Sequence, residues 1–185
     1  SLSFRTTPNG EPRRLLMGDG GLHENTGTIA LLQQGVTDII MTLNTPTPFD
    51  ASLAVADPAK CVADDLPTLF GVDLGSGSHT DIYGQNQVFP TEAYTESIIP
   101  QFLEAYNSGR ALIATLCTKT VANPFYGIPA GLDVDFVVLY LHAPTNFTSQ
   151  LRSDVAAAKS IQPYNTSGHF PYFHTTFQNP PEPIR

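Results

Sequence analysis

Arg14-Leu-Leu-Met-Gly-Asp-Gly-Gly-Leu-His-Glu-Asn-Thr-Gly-Thr-Ile-Ala-Leu-Leu-Gln-Gln-Gly-Val-Thr-Asp-Ile-Ile-Met-Thr-Leu43 changes hydrophobic period three times. The apolar run Arg14 to Met17 is stopped by Gly18-Asp-Gly-Gly21 and reads as a buried strand entering a tight turn. Asn25 or Thr26 is placed to cap a helix through Ile29, Ala30, Leu31 and Leu32, with Gly35 as its left-handed stop. Val36 to Leu43 then resumes strand character. Strand, turn, helix and strand in this order predict a βαβ unit with parallel strands and a right-handed crossover.

Working outward, Asn44 to Asp57 carries repeated turn signals and reads as a surface excursion. A short helix is expected within Pro58–Phe70, and Gly71 to His79 is loop by composition. Tyr94, Ile98, Phe102 and Tyr106 share one helical face with Ile99 and Leu103, closed by Asn107-Ser-Gly109, with Pro100 as a kink or a restart. Ala111–Val121 and Asp133–Leu141 predict two strands joined by the loop 123–131, with Val134, Phe136, Val138 and Tyr140 on one face. A last helix is expected from Thr145 or Asn146 through Leu151, Val155 and Ala158. Three parts result: a βαβ unit at 1–50, an αβ remainder at 51–161 and an irregular aromatic, proline-rich tail at 162–185.

The 185 residues suit one domain, and 41% hydrophobic residues can build its core. Nine Lys plus Arg against seventeen Asp plus Glu leave a net charge of −8, the wrong sign for holding phosphates, so nucleic acid is not an expected partner. No apolar run is long enough to span a bilayer, and Ser1-Leu-Ser-Phe-Arg-Thr-Thr-Pro8 lacks the pattern of a signal peptide. With no initiator Met, Ser1 is expected to be a processing or truncation point. Cys61 and Cys117 suit two buried free thiols better than a disulfide framework or a zinc pair. The sequons Asn146-Phe-Thr and Asn165-Thr-Ser favour a secretory route over the cytoplasm without deciding the compartment.

Asp19 leaves the carboxyl end of a predicted parallel strand, where open α/β sheets place their sites, and Gly20 and Gly21 let backbone or ligand approach. A carboxylate there can take a proton from a serine hydroxyl. Taken alone, the same four residues also describe a glycine-rich turn in which Asp19 bonds its own backbone.

Residues 17 to 40 as a whole resemble the second catalytic motif of the patatin and cytosolic phospholipase A2 superfamily. There a strand ends in Asp-Gly-Gly or Asp-Gly-Ala, an Asn follows, and a helix leads into a Gly-Val strand. Leu69-Phe-Gly71 and Gln87-Val-Phe-Pro90 are compatible with its longer members. The resemblance implies an α/β fold with a mostly parallel, patatin-like sheet and flanking helices, and a lipid acyl hydrolase with a Ser-Asp dyad, of phospholipase A2 or lysophospholipase type. Asp19 would be the dyad base, Gly20 and Gly21 would shape its turn, and Asn25 would hold the loop at the helix start.

No Gly-x-Ser-x-Gly elbow occurs in the chain, the nearest stretch being Gly75-Ser-Gly-Ser-His79 with its serines out of register. The chain is therefore expected to be the carboxyl-terminal portion of such a hydrolase, its nucleophile on a second polypeptide from the same precursor. Thr26-Gly27 departs from the usual motif and leaves a non-catalytic relative that kept the scaffold as an alternative. A hydrolase using Ser1 as an amino-terminal nucleophile is another.

Weaker candidates are Val72-Asp-Leu-Gly75, which lacks the hydroxyl of an aspartic-protease turn, and His23-Glu24, where Gly27 replaces the second His of a zincin pair. Asp133 and Asp135 share one side of a strand and read as solvated carboxylates. His169 and His174 lie among tail aromatics and read as packing or surface residues. No metal and no cofactor is expected.

Overall fold

The computed structural model describes residues 2–4, 13–15, 24–45, 47–72, 74, 85–142 and 144–154, the first two segments by backbone alone. Asp19, Gly20, Gly21, His23, Asp73, Asn165, His169, His174 and the tail lie outside the described residues.

Strands β1 (Leu2–Phe4) and β2 (Arg13–Leu15) pair antiparallel as a two-stranded sheet. A short helix α1 (Thr28–Gln33) leads into β3 (Asp38–Leu43). Helices α2 (Leu53–Ala56) and α3 (Asp65–Thr68) flank a 3₁₀ turn at Pro58–Lys60. Then come α4 (Thr91–Ala93), a π-helical turn (Tyr94–Ile98), α5 (Ile99–Asn107), β4 (Leu112–Lys119), β5 (Asp133–Tyr140) and α6 (Thr145–Thr148).

The second sheet has the order β3-β5-β4. β3 runs parallel to β5, from Asp38 opposite Asp135 to Leu43 opposite Tyr140, and β4 is antiparallel to β5. The chain is thus α/β with a small mixed sheet of one parallel and one antiparallel pair, where a mostly parallel sheet was expected. The expected pairing of the strand before Gly18 with β3 is also replaced: β2 pairs with β1, and β3 takes β5 as its parallel partner. A physical reason is at hand in the sequence, because Pro8-Asn-Gly10 between β1 and β2 are turn-forming residue types, and local closure costs less entropy than a distant pairing.

The face read for β5 holds, and β3 alternates in the same way. Ile39, Met41, Leu43, Val134, Phe136, Val138 and Tyr140 are buried on one face together with Leu112 and Ala114. Against that face pack Phe70, Phe89, Tyr94 and Phe102, with ring centroids of Phe89 and Phe136 5.1 Å apart and of Phe102 and Tyr140 5.9 Å apart. Each such aromatic, fully withdrawn from water, contributes about 1.5–3 kcal/mol. The ion pairs Lys60–Asp57, Arg110–Glu104, Lys119–Asp133 and Arg152–Asp154 are all solvent-exposed and screened, so the aromatic layer holds the fold. The opposite face is uncovered in places, with Ile40 72% and Ile113 46% exposed. No helix among the described residues is long and apolar enough to cross a membrane.

Segment 44–57 is more than a surface excursion. Phe49 is buried against Phe102 and Tyr106, and the Tyr140 hydroxyl donates to the Thr47 carbonyl at 2.6 Å while accepting the Ala63 N–H at 2.9 Å. Leu69, Phe70, Val88 and Phe89 are fully buried, and both the Val88 and Phe89 N–H groups donate to the Leu69 carbonyl. The Leu69–Gly71 and Gln87–Pro90 stretches are thereby bound to each other.

Pro100 does restart the helix. Lacking an N–H, it cannot donate to the Glu96 carbonyl, and its ring would press on that group. The backbone widens instead into a π turn, with the Ile99 N–H donating to the Tyr94 carbonyl five residues back. Helix α5 ends at Asn107 and is followed by Gly109, where φ is +67°. The helix expected from Thr145 or Asn146 begins at Thr145, but α6 ends at Thr148 and does not include Leu151, while Val155 and Ala158 lie outside the described residues.

Candidate functional site

Glu24 to Ile40 is the described part of the motif. The Glu24 carboxylate accepts both the Thr26 N–H and the Thr26 hydroxyl, whose oxygen lies 2.7 Å from the Thr28 hydroxyl, within hydrogen-bond distance. Neither Asn25 nor Thr26 is the helix N-cap. Gly27 takes that position with φ 74°, a conformation open to glycine at little cost, and no side chain caps the helix. Thr26 contributes its hydroxyl oxygen to the Thr28 N–H at 3.2 Å. At the other end Gly35 has φ 75°, the left-handed stop its sequence position predicted.

The Asn25 carboxamide instead lies near Asp65 at the start of α3, where it favours the ionised carboxylate. Asp65 is partly buried, and burial holds its carboxyl above the usual carboxylate range. The Asn25 carboxamide works against that rise, while the nearby charges of Glu24 and Asp64 add to it. Tyr126 closes this neighbourhood. Burial, then the Glu24 charge, pushes its phenol up, and its hydroxyl donates to Asn86 Oδ1 at 2.9 Å. The arrangement ties the loop before α1 to α3, holding a carboxyl group that resists ionisation beside an amide donor.

Sequence reasoning did not single out Asp65. Its signal, Asp64-Asp65 ahead of Leu66-Pro67, is that of an ordinary helix start, and only the packing of α3 against the Asn25 loop gives it a partner. Of the expected site residues, Asn25 alone falls within the described residues.

The Asp133–Asp135 pair lies at one end of the uncovered sheet face, on the central strand. Lys119 pairs with Asp133, and the Cys117 thiol donates to Asp135 Oδ1 at 2.7 Å. With Thr37 these side chains line a cleft of about 370 Å³, to which neither Asn25 nor Asp65 contributes. Both cysteines are free. Cys61 is buried as expected, but Cys117 is exposed because its odd-numbered position on β4 points away from the core. The Asp135 hydrogen bond and charge push the Cys117 thiol up, and burial does the same for Cys61, so neither is poised as a thiolate. Among the described residues no group of His, Cys, Asp and Glu is arranged to hold a metal ion.

No family model matches the chain, and no curated protein or solved structure matches it either.

Proposed function

We propose that the chain is the Asp-bearing part of a Ser-Asp dyad lipid acyl hydrolase of phospholipase A2 or lysophospholipase type, with a patatin-like core completed by a second polypeptide from the same precursor. The observation that carries this reading is the run from Met17 to Ile40: Asp-Gly-Gly, then Asn25, then a helix ended by a left-handed Gly35, then Val36 entering the parallel strand β3. Helix, glycine stop and parallel strand follow Asn25 in the order the motif requires.

In this mechanism Asp19 accepts the proton of the partner's serine hydroxyl as its oxygen attacks the ester carbonyl. The lipid alcohol leaves with that proton, and water, deprotonated by the same carboxylate, releases the fatty acid from the acyl-enzyme. Gly20 and Gly21 shape the turn, and Asn25, beside Asp65, holds the loop that follows. The chain contains no Gly-x-Ser-x-Gly, and the exposed Ile40 and Ile113 offer a second chain an apolar face to cover.

The test co-expresses this chain with the polypeptide carrying the elbow serine and follows fatty-acid release from a lysophospholipid. The complex turns over, the isolated 185 residues stay at background, and Asp19→Asn abolishes turnover while assembly persists, because the amide keeps the shape and loses the basicity. Turnover by the isolated chain, or full activity of the Asn variant, defeats the proposal.

A further inference from the structure

The connection between β4 and β5, Thr120 to Leu132, contains no Asp, Glu, Lys, Arg or His. Its tip nevertheless faces outward: Phe125 is 64% exposed, and Ala122, Pro124, Pro129 and Ala130 are exposed beside it. Much of its backbone is satisfied without water. The Asn123 and Ile128 backbones exchange both hydrogen bonds, the Tyr126 N–H donates to Asn123 Oδ1, and Gly127 donates to the Pro124 carbonyl. Thr120 closes the base, its carbonyl accepting Gly131 N–H and its hydroxyl accepting Leu132 N–H. Pro124 and Pro129 have no N–H to satisfy.

The tip is also rigidly presented. The Asn123 carboxamide donates to the carbonyls of Gln85 and Gln87 at 2.7 and 2.8 Å, Gln33 donates to the Tyr126 carbonyl at 2.8 Å, and the Phe125 ring stands edge-on to Tyr126 at 4.8 Å. A loop that enters the lipid interface gains from such pairing, since charges and unpaired N–H groups are costly there, and an aromatic ring is the side chain the interface accepts best.

We propose that this loop is an interfacial anchor that inserts Phe125 into a zwitterionic lipid surface. The choice of lipid follows from charge. The chain carries −8 overall, and Asp133, Asp135 and Asp38 stand on the sheet face next to the base of the loop, countered there by Lys119, so an anionic surface repels it. The inference rests on the loop alone and is independent of the hydrolase reading, because binding to lipid requires no turnover.

The chain has no Trp, so Phe125→Trp creates a single-site reporter. With phosphatidylcholine vesicles its emission shifts to the blue, and adding phosphatidylserine at low salt weakens the response. In vesicle co-sedimentation Phe125→Asp binds about tenfold more weakly than wild type, whereas Val55→Asp, at an exposed apolar site on α2, stays within about twofold. Circular dichroism checks that each variant is folded. The proposal is overturned by a folded reporter whose emission ignores the vesicles, by undiminished binding of Phe125→Asp, or by a preference for anionic vesicles. A blue shift that grows with protein concentration without lipid also overturns it, because the loop would then be a contact between copies of the chain.

Discussion

Asp65 concentrates the consequences of burial at one carboxyl group. Its folded-state pKa is raised, so the folded chain binds more protons than the unfolded one once the pH exceeds the ordinary carboxylate value. The favourable contribution is therefore complete at low pH and is lost as the pH rises through the raised value. Asp65→Asn removes the ionisable group while keeping a polar neighbour for Asn25. Between about pH 4 and pH 7 the variant gains thermal stability relative to wild type, and a Tm series across that range reads the difference directly. A variant whose Tm falls in parallel with wild type would show that Asp65 is not the group responsible. The thiols make the opposite case: neither is activated, so, under the proposed function, Cys61→Ala with Cys117→Ala spares hydrolysis in the assembled complex, measured as the same fatty-acid release. The Asp65 environment was not legible in the sequence, because a carboxylate's burial is set by what packs on it from elsewhere.

Element ends separate backbone strain from packing. Gly35 and Gly109 have nearly the same left-handed φ, yet a Cβ at Gly35 meets nothing within 4 Å, whereas at Gly109 it would lie 2.4 Å from Thr145 Oγ1. Gly35→Ala therefore carries the backbone cost alone, about 1–2 kcal/mol, and Gly109→Ala costs more because Thr145 and Asn146 must move off the end of α5. Urea unfolding midpoints for the two variants give the comparison, and equal losses would remove the packing contribution. The outer edge of β4 is guarded in a different way. Gln101 on α5 accepts the Thr115 N–H and donates to the Thr115 carbonyl, both at 3.0 Å, pairing with a strand edge as another strand would. Helix α5 and strand β4 were each evident from their periods. The bridge between them was not, since a polar residue on a helix surface looks the same whether or not a strand edge lies beside it.

For the whole molecule, the uncovered sheet face is the feature on which the proposed assembly depends. If a second chain covers it, Ile40→Asp changes the stability of the isolated chain by no more than about 0.5 kcal/mol, as for other surface positions, and prevents assembly with the serine-bearing polypeptide. Assembly unaffected by the substitution, judged by co-purification, would place the partner elsewhere. The strands β3, β4 and β5, the α1 helix with its Gly35 stop and the inward face of β5 were all readable from the chain, because periodicity and glycine conformation are local properties. Strand partnership was not. The run before Gly18 was expected beside β3, but β2 pairs with β1 and β3 with β5, almost a hundred residues away in sequence. A strand's sequence specifies which side is apolar and leaves open which neighbour completes its hydrogen bonds, a choice made by the tertiary structure as it weighs loop closure against burial. The same holds for Asn25, whose residue type suits a helix cap and whose neighbour Asp65 is supplied by the packing of α3.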